Sequence, residues 1–170
     1  MSRIFLLPAA LALSAVAAAA QAPRSAPKSD SSTVVFVCEH GSVKSVVAVS
    51  YFNSEARRRG LPLRAISRGT HPDSAVPGPI RDGLRRDGFE IRAFTPTLFG
   101  RADVRGASLL VSFDQDVSPV AGNLLAIERW DGLPALSLDY SVGRDSIRAR
   151  VAKLVDRLAA ERNARGRPKG

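Results

Sequence analysis

Short apolar runs alternate with segments of helical spacing along most of this 170-residue chain, and this alternation limits the possible folds more than any other feature. The apolar runs are rich in Val, Leu and Ile, which is typical of strands buried on both faces of a parallel sheet. The strands predicted in this way lie at residues 33–38, 63–67, 107–113 and 133–138. Helices are predicted at residues 44–59, 77–87, 119–127 and 143–162. The alternation indicates an α/β three-layer sandwich, with a four-stranded parallel sheet and helices on both faces.

The start of the chain is predicted to lie outside this domain. Arg3 precedes an uncharged, almost wholly apolar run at 4–20, and Ala20-Gln21-Ala22 is the small-residue pattern that signal peptidases cleave. We expect a chain divided into a signal peptide at 1–22, a disordered linker at 23–32, a domain at 33–162 and a basic tail at 163–170. The expected location is secreted or periplasmic, with no membrane contact after cleavage.

Composition excludes several classes of function. The chain has 25 Lys and Arg against 16 Asp and Glu, a net charge of +9, which favours an anionic ligand without identifying it. A single cysteine excludes an intramolecular disulfide and any zinc site built on several thiols. Two histidines make a weak metal site, so neither a metal nor another cofactor is expected. No aromatic residues interleave with the basic clusters, so no nucleic-acid partner is expected.

The loop between the first strand and the first helix carries the chemistry. Cys38 stands at the carboxyl end of the strand, where ligands bind in parallel α/β sheets. Successive N–H groups of a loop that enters a helix can surround one anion, and Lys44 adds a full positive charge. This field is expected to favour the thiolate of Cys38 and to hold a tetrahedral oxyanion beside it. Nucleophile and anion pocket then coincide, as attack on phosphorus or arsenic requires.

This stretch resembles the active-site loop of the low-molecular-weight protein tyrosine phosphatase and thiol-dependent arsenate reductase superfamily. The family pattern is an apolar strand, a Cys, five residues, an Arg and a Ser or Thr; here Val34–Cys38 supplies strand and nucleophile, and Ser45 stands at the Ser/Thr position. The likeness continues through Ser67–Thr70 and Asp87–Ile91 to the segment Trp130–Ile147. It implies a nucleophilic Cys38, a catalytic Lys44 and an oxyanion bound by the loop residues Glu39, His40, Gly41, Ser42, Val43, Lys44 and Ser45.

Three departures from the family pattern fall within the loop. Lys44 replaces the Arg, and an ammonium group lacks the planar fork with which Arg grips an oxyanion at two points. Arg68 is a candidate for supplying the missing guanidinium, and a solvated loop Arg is the alternative. Gly41 replaces an Asn that usually stabilises the loop. Glu39 puts a carboxylate beside the nucleophile, facing either into the pocket or outward.

The general acid is the fourth departure. In the family it lies in an Asp-Pro loop, and no Asp-Pro dipeptide occurs near Trp130. Asp139 is the favoured replacement because Asp139-Tyr140 immediately precedes the last helix, and Asp131 is the second candidate. Capping the helix or lying on the surface is the alternative role for either carboxylate.

The resemblance implies a hydrolase that acts on phosphate monoesters, including phosphotyrosine in a phosphoprotein, through a cysteine nucleophile. Two alternatives stay open. The spacing of Cys38 and His40 resembles a loop seen in some single-cysteine arsenate reductases, which use an external thiol. A Lys in place of the Arg is also compatible with a catalytically weak domain that binds phosphate or arsenate. The cysteine relay of thioredoxin-coupled reductases is excluded, because the chain has one cysteine.

Overall fold

The computed structural model describes residues 32–92 and 94–165. The predicted signal peptide lies outside the described residues, and the predicted linker and tail lie outside them except at Ser32 and at 163–165. The strands are β1 Ser32–Cys38, β2 Leu63–Gly69, β3 Leu109–Ser112 and β4 Ile127–Arg129. The helices are α1 Lys44–Arg58, α2 Gly78–Arg86, α3 Arg101–Gly106, α4 Ser118–Ala121 and α5 Tyr140–Arg165. Ser32 therefore belongs to β1 rather than to a linker, and α5 extends three residues into the predicted tail.

The four strands form one parallel sheet in the order β2-β1-β3-β4. The chain moves from β1 to β2 at one edge and then returns to β3 on the other side of β1. The connections after β1 and β3 therefore leave in opposite directions, which opens a crevice beyond their carboxyl ends. The parallel sheet confirms the predicted fold class, and Cys38 is the last residue of β1, at this crevice.

Helices cover both faces of the sheet. Val34 and Phe36 of β1 face a large core shared with α1, α2 and α5, whereas Val35 and Val37 face a smaller core shared with α3 and α4. All four side chains are fully buried. This two-sided burial explains why β1 reads as a continuous apolar run. Cys38 belongs to the larger core and lies on the same face of the sheet as α1 and α5.

The fourth strand was predicted at the wrong place. Residues 133–138 form a loop and turn, and β4 lies earlier, at Ile127–Arg129. The helix predicted at 119–127 is also shorter than expected, because α4 ends at Ala121 and residue 127 already belongs to β4. Pro134 removes a ladder donor from the predicted strand, and Leu138 is 89% exposed. β4 was missed because its three residues include two charged ones on a sheet edge. The short helix α3 was also missed, since only Val104 of it is buried. No helix in the described part of the chain combines the length and apolar character needed to cross a bilayer.

Candidate active site

Cys38 is only 5% exposed, and its thiol ends a series of buried hydroxyl groups. Its Sγ lies 3.0 Å from the Ser45 Oγ, which lies 2.7 Å from the Ser67 Oγ. The Ser67 hydroxyl also contacts the Gly41 carbonyl oxygen at 2.9 Å. α1 supplies Ser45 in its first turn and β2 supplies Ser67, so two elements fix the position of the nucleophile.

Counting hydrogens along this series shows how it responds to ionisation of the thiol. When Cys38 carries its proton, each contact has a donor: the thiol to Ser45, Ser45 to Ser67, and Ser67 to the Gly41 carbonyl. When Cys38 is a thiolate, Ser45 donates to the sulfur. Ser67 then donates either to Ser45 or to the Gly41 carbonyl, because a hydroxyl carries one hydrogen. Ser45 is therefore already in place to donate a hydrogen bond to the thiolate, and ionisation of the thiol costs this group of side chains one hydrogen bond.

The loop after Cys38 is braced along its carbonyl side. The N–H groups of Thr70, His71 and Asp73 donate to the carbonyl oxygens of residues 38, 39 and 40 over 3.1, 2.8 and 3.0 Å. The N–H groups of residues 39–44, by contrast, donate no hydrogen bond to any other residue that the structure describes. Successive free N–H groups at the start of a helix form a nest for an anion. The loop thus has the hydrogen-bonding state that an oxyanion cradle requires.

Gly41 shows why this loop lacks the family's Asn. Its φ is +63°, in the left-handed region, and a Cβ there would lie 2.8 Å from the backbone N of Gly69. A Cβ on Gly69 would in turn lie 2.8 Å from the backbone N of Gly41. The two backbones therefore approach too closely for any side chain at either position. Glycine at position 41 is a steric requirement of packing the loop against the end of β2.

Lys44 does not point freely into the cavity. Its Nζ donates to Asp114 Oδ2 at 2.5 Å, and Asp114 follows the end of β3 by two residues. The pair lies across the crevice between β1 and β3, beside the loop. Part of the positive charge of Lys44 is thereby balanced by a carboxylate before any anion binds.

Asp114 is held in an unusual backbone conformation, with a φ of +54°. Its Oδ1 accepts a hydrogen bond from the Gly132 N–H at 2.8 Å, and its own N–H donates to Asp131 Oδ1 at 3.1 Å. Burial raises the pKa of Asp114, but the hydrogen bonds from Lys44 and Gly132 outweigh burial and leave that pKa below its ordinary value. A non-glycine residue with positive φ beside a nucleophile is typical of a functional site.

A cavity of about 380 Å³ opens above Cys38. Its walls come from the loop, from the segment after β2, from the end of β3 and from the loop before α5. The lining residues are Cys38, Glu39, His40, Val43, Lys44, Asp73, Pro77, Phe113, Asp114, Gln115, Ala135, Leu136 and Ser137. Glu39 is among these lining residues, and its side chain is 55% exposed. Of the predicted oxyanion-binding residues, three are buried beneath the wall, namely Gly41, Ser42 and Ser45.

The outer wall of the cavity carries a cluster of titratable side chains. His40 Nδ1 lies 3.2 Å from Asp73 Oδ1, and His40 Nε2 lies 3.7 Å from Glu39 Oε2. The Ser42 hydroxyl donates to Asp73 Oδ2. Among the described residues, no group of three or more His, Cys, Asp or Glu side chains is arranged to hold a metal ion.

The structure does not bring the predicted general acids into the cavity. Asp139 Oδ1 accepts hydrogen bonds from the N–H groups of Ser141 and Val142 at 2.8 and 3.1 Å, so it caps the start of α5. Asp131 pairs with Arg129 at 3.0 Å and holds the N–H of residue 114. Neither carboxylate is part of the cavity lining, because helix capping and turn formation hold them outside it.

Arg68 is not brought to the nucleophile either. Its Nε donates to Asp103 Oδ1 of α3 at 2.8 Å, and its Nη1 donates to the backbone carbonyl of Ser67. Its guanidinium therefore does not replace the missing Arg. Of the three acidic residues that line the cavity, the sequence pointed to Glu39 but not to Asp73 or Asp114. Asp114 follows the carboxyl end of a buried strand, as Cys38 does, and this position in the sequence could have indicated that it lies near the site.

The fold and the site together define a class of protein in which a cysteine at the end of a parallel strand faces a cradle of main-chain N–H groups. The chain belongs to the low molecular weight phosphotyrosine protein phosphatase family, whose model matches residues 33–127. The predicted family resemblance is thereby confirmed. Proteins of this family and fold include cysteine-dependent phosphatases and arsenate reductases. No curated protein matches the sequence significantly.

Solved structures share the fold. The crystal structure of YfkJ from Bacillus subtilis has a TM-score of 0.71 at 18% identity and covers 79% of this chain and 98% of that chain. A low molecular weight protein tyrosine phosphatase from T. tengcongensis has a TM-score of 0.63 at 20% identity, over 75% of this chain and 99% of that chain. An arsenate reductase from Archaeoglobus fulgidus has a TM-score of 0.57 at 25% identity, over 72% and 98%.

Proposed function

We propose that this protein hydrolyses phosphate monoesters, phosphotyrosine among them, through Cys38. One observation carries the proposal. The buried sulfur of Cys38 has a hydroxyl donor at 3.0 Å and stands at the base of a loop whose N–H groups at residues 39–44 donate to no other described residue. A cradle of this kind stabilises a phosphoryl group at the place where the thiolate attacks it.

The reaction proceeds in two displacements. The Cys38 thiolate attacks phosphorus, so that an S–P bond forms and the P–O bond to the leaving alcohol breaks. The alcohol departs with the bonding electron pair and takes up a proton. Water then attacks phosphorus, loses a proton and displaces the sulfur, which releases inorganic phosphate and regenerates the thiolate.

The loop supplies most of the transition-state stabilisation in this proposal. The N–H groups of residues 39–44 bind the equatorial phosphoryl oxygens, and Lys44 adds charge from the edge of the cradle. Ser45 donates to the sulfur whenever it is anionic. Because Asp114 is ionised and paired with Lys44, it is a poor proton donor. We therefore expect aryl esters to be the better substrates, because their leaving groups are weak bases and need little protonation.

The direct test is turnover of p-nitrophenyl phosphate by purified residues 23–170 and by its Cys38→Ser variant. We expect hydrolysis by the parent protein and none by the variant. Calorimetry of tungstate or phosphate binding to the variant checks that the anion-binding loop is intact. An active serine variant, or a parent protein that neither hydrolyses the ester nor binds phosphate, contradicts the proposal.

Arsenate reduction is the second candidate, and it is favoured by the 25% identity to the Archaeoglobus fulgidus arsenate reductase. In this chemistry the Cys38 thiolate attacks arsenic and displaces water. An external thiol then attacks the cysteine sulfur, which leaves a mixed disulfide and reduces As(V) to As(III). A second external thiol restores Cys38, so two thiols supply the two electrons. Arsenite production with glutathione, measured beside the phosphatase assay, decides between the candidates.

A further inference from the structure

The cavity mouth has the opposite charge to the molecule as a whole. The chain carries a net charge of +9, yet Glu39, Asp73 and Asp114 all line the cavity above Cys38. Lys44 is the only Lys or Arg of that lining, and it is paired with Asp114. The two remaining carboxylates have no Lys or Arg partner among the lining residues, so the mouth is negative.

The two carboxylates at the mouth lie close together. Glu39 and Asp73 flank the imidazole of His40, at 3.7 and 3.2 Å, and their side chains are 55% and 34% exposed. A proton on His40 would cancel one of the two charges and leave the other. In either protonation state of His40, the outer wall of the cavity is therefore net anionic.

The anion-binding end of the same cavity is built separately. It consists mainly of the free N–H groups at 39–44 and the nucleophile, with Lys44 at its edge. A bound phosphoryl group would thus have main-chain donors at its inner side and carboxylates around the ester oxygen at its outer side. An uncharged alcohol gains nothing from those carboxylates, whereas a positively charged one is attracted by both.

We propose that the site selects phosphate monoesters whose leaving alcohol carries a positive charge a few ångströms from the ester oxygen. The inference rests on the proposed phosphatase function. The size of the cavity, about 380 Å³, suits a small substrate. The lining also contains small or aliphatic residues, Pro77, Ala135 and Leu136, which can contact methyl or methylene groups.

The test compares two esters of the same shape, phosphocholine and 3,3-dimethylbutyl phosphate, which differ by one nitrogen and its charge. We expect kcat/KM to be about fivefold higher for phosphocholine at low ionic strength, the size of one or two exposed charge interactions. The preference is expected to shrink in 0.5 M NaCl because salt screens exposed charges. Equal values, or a preference for the neutral ester, would overturn the inference.

Charge-neutral variants locate the effect. Glu39→Gln and Asp73→Asn are each expected to reduce the preference for phosphocholine at least twofold. Glu90→Gln is the matched control, since Glu90 is an exposed carboxylate that pairs with Arg92 and does not line the cavity. An unchanged preference in both mouth variants, or an equal loss in the control, would show that these carboxylates do not select the substrate.

Measuring ester binding without turnover tests this inference separately from the proposed phosphatase activity. The Cys38→Ser variant is expected not to hydrolyse either ester, so calorimetry can measure its affinity for each. A fivefold tighter binding of phosphocholine supports the inference even when the parent protein is inactive on p-nitrophenyl phosphate, and equal affinities overturn it. Tyrosine phosphopeptides flanked by Lys or by Ala form a separate arm. If the protein prefers the Lys-flanked peptide but shows no preference for phosphocholine, the recognised cation does not belong to the leaving alcohol. That result would overturn the inference.

Discussion

At the scale of single residues, Lys44 faces two demands. It holds Asp114 at 2.5 Å, and in the proposed reaction it also faces the phosphoryl oxygens. A single ammonium group divides its hydrogen bonds between the two partners, whereas a guanidinium can present separate N–H groups to each. The structure therefore gives the Lys-for-Arg departure a specific consequence: the anion competes with Asp114 for the same cation.

Substitutions at Lys44 are expected to change activity in opposite directions. Lys44→Arg should raise kcat/KM for p-nitrophenyl phosphate about tenfold, because the fork can bind Asp114 and an oxyanion together. Lys44→Met should lower it about a hundredfold, on the scale of a lost oxyanion donor, and leaves Asp114 without its cation. Steady-state kinetics at pH 7 measures both. Lys153→Met, at an exposed position on α5, is the control, and no change in either Lys44 variant would remove this residue from the site.

Asp139 is the residue on which the sequence and the structure differ most. Since its Oδ1 caps α5, Asp139→Asn should keep both activity and stability, because Asn is an equally good N-cap. Asp139→Ala should lose about 1 kcal/mol of the free energy of unfolding with little change in kcat. Urea denaturation and p-nitrophenyl phosphate turnover separate these effects. A strong loss of kcat in the Asn variant would restore Asp139 as the general acid.

At the scale of elements, the junction between the Cys38 loop and β2 depends on two glycines in contact. Gly41→Ala should cost about 2 kcal/mol more than Gly60→Ala in the free energy of unfolding. Both glycines have a φ of +63°, but only at Gly41 does a Cβ meet backbone atoms, while Gly60 has nothing within 4 Å. The difference between the two urea midpoints therefore isolates the close approach from the backbone strain. Equal losses would mean that the loop moves away from β2 without cost.

Three helices are joined through one carboxylate. Asp87, just after α2, accepts hydrogen bonds from Tyr51 of α1 at 2.9 Å, from Tyr140 of α5 at 2.7 Å and from Arg144 of α5 at 2.6 Å. Burial, together with the hydrogen bond to Asp87, raises the pKa of Tyr51 to about 12, and the same two causes raise that of Tyr140. Both phenols are therefore held neutral in the folded protein.

This cluster gives stability a definite dependence on alkaline pH. A folded-state pKa above the unfolded value of 10.0 stabilises the protein fully below pH 10, and that contribution is lost as the pH rises towards about 12. The free energy of unfolding should fall across this interval. Asp87→Asn should flatten the fall, since it removes the acceptor charge. Urea titrations at pH 8, 10 and 11 measure both slopes, and parallel curves for the two proteins would contradict the assignment.

The elements differ in how well the sequence predicted them. β1 and the Cys38 loop were predicted correctly because two-sided burial and an abrupt change to polar residues are both visible in the sequence. β4 and the pairing of Lys44 with Asp114 were not predicted. An edge strand needs few apolar residues, and the ion pair joins the first residue of α1 to a loop residue 70 positions away in the sequence. The cap at Asp139 was named as an alternative, but local sequence does not tell a capping carboxylate from a catalytic one.

At the scale of the whole molecule, we propose that the protein is exported and that residues 1–22 are removed. When the full chain is expressed in a bacterial host with an outer membrane, the periplasmic fraction should contain a protein that begins at Pro23. Intact-mass spectrometry of the fractions measures this. A chain without residues 2–22 is the control and should stay in the cytoplasm. A full-length mass found only in the cytoplasm would contradict the proposal.

The single buried cysteine has a consequence for survival under oxidants. Peroxide converts a reactive thiolate to a sulfenic acid, which proteins commonly rescue by condensing it with a neighbouring thiol. Cys38 has no such neighbour, because the chain contains no other cysteine. Repair therefore depends on a small thiol that enters the cavity of about 380 Å³, and without one the sulfur proceeds to the irreversible sulfinic acid. The supply of diffusible thiols around the protein would then set the lifetime of its activity.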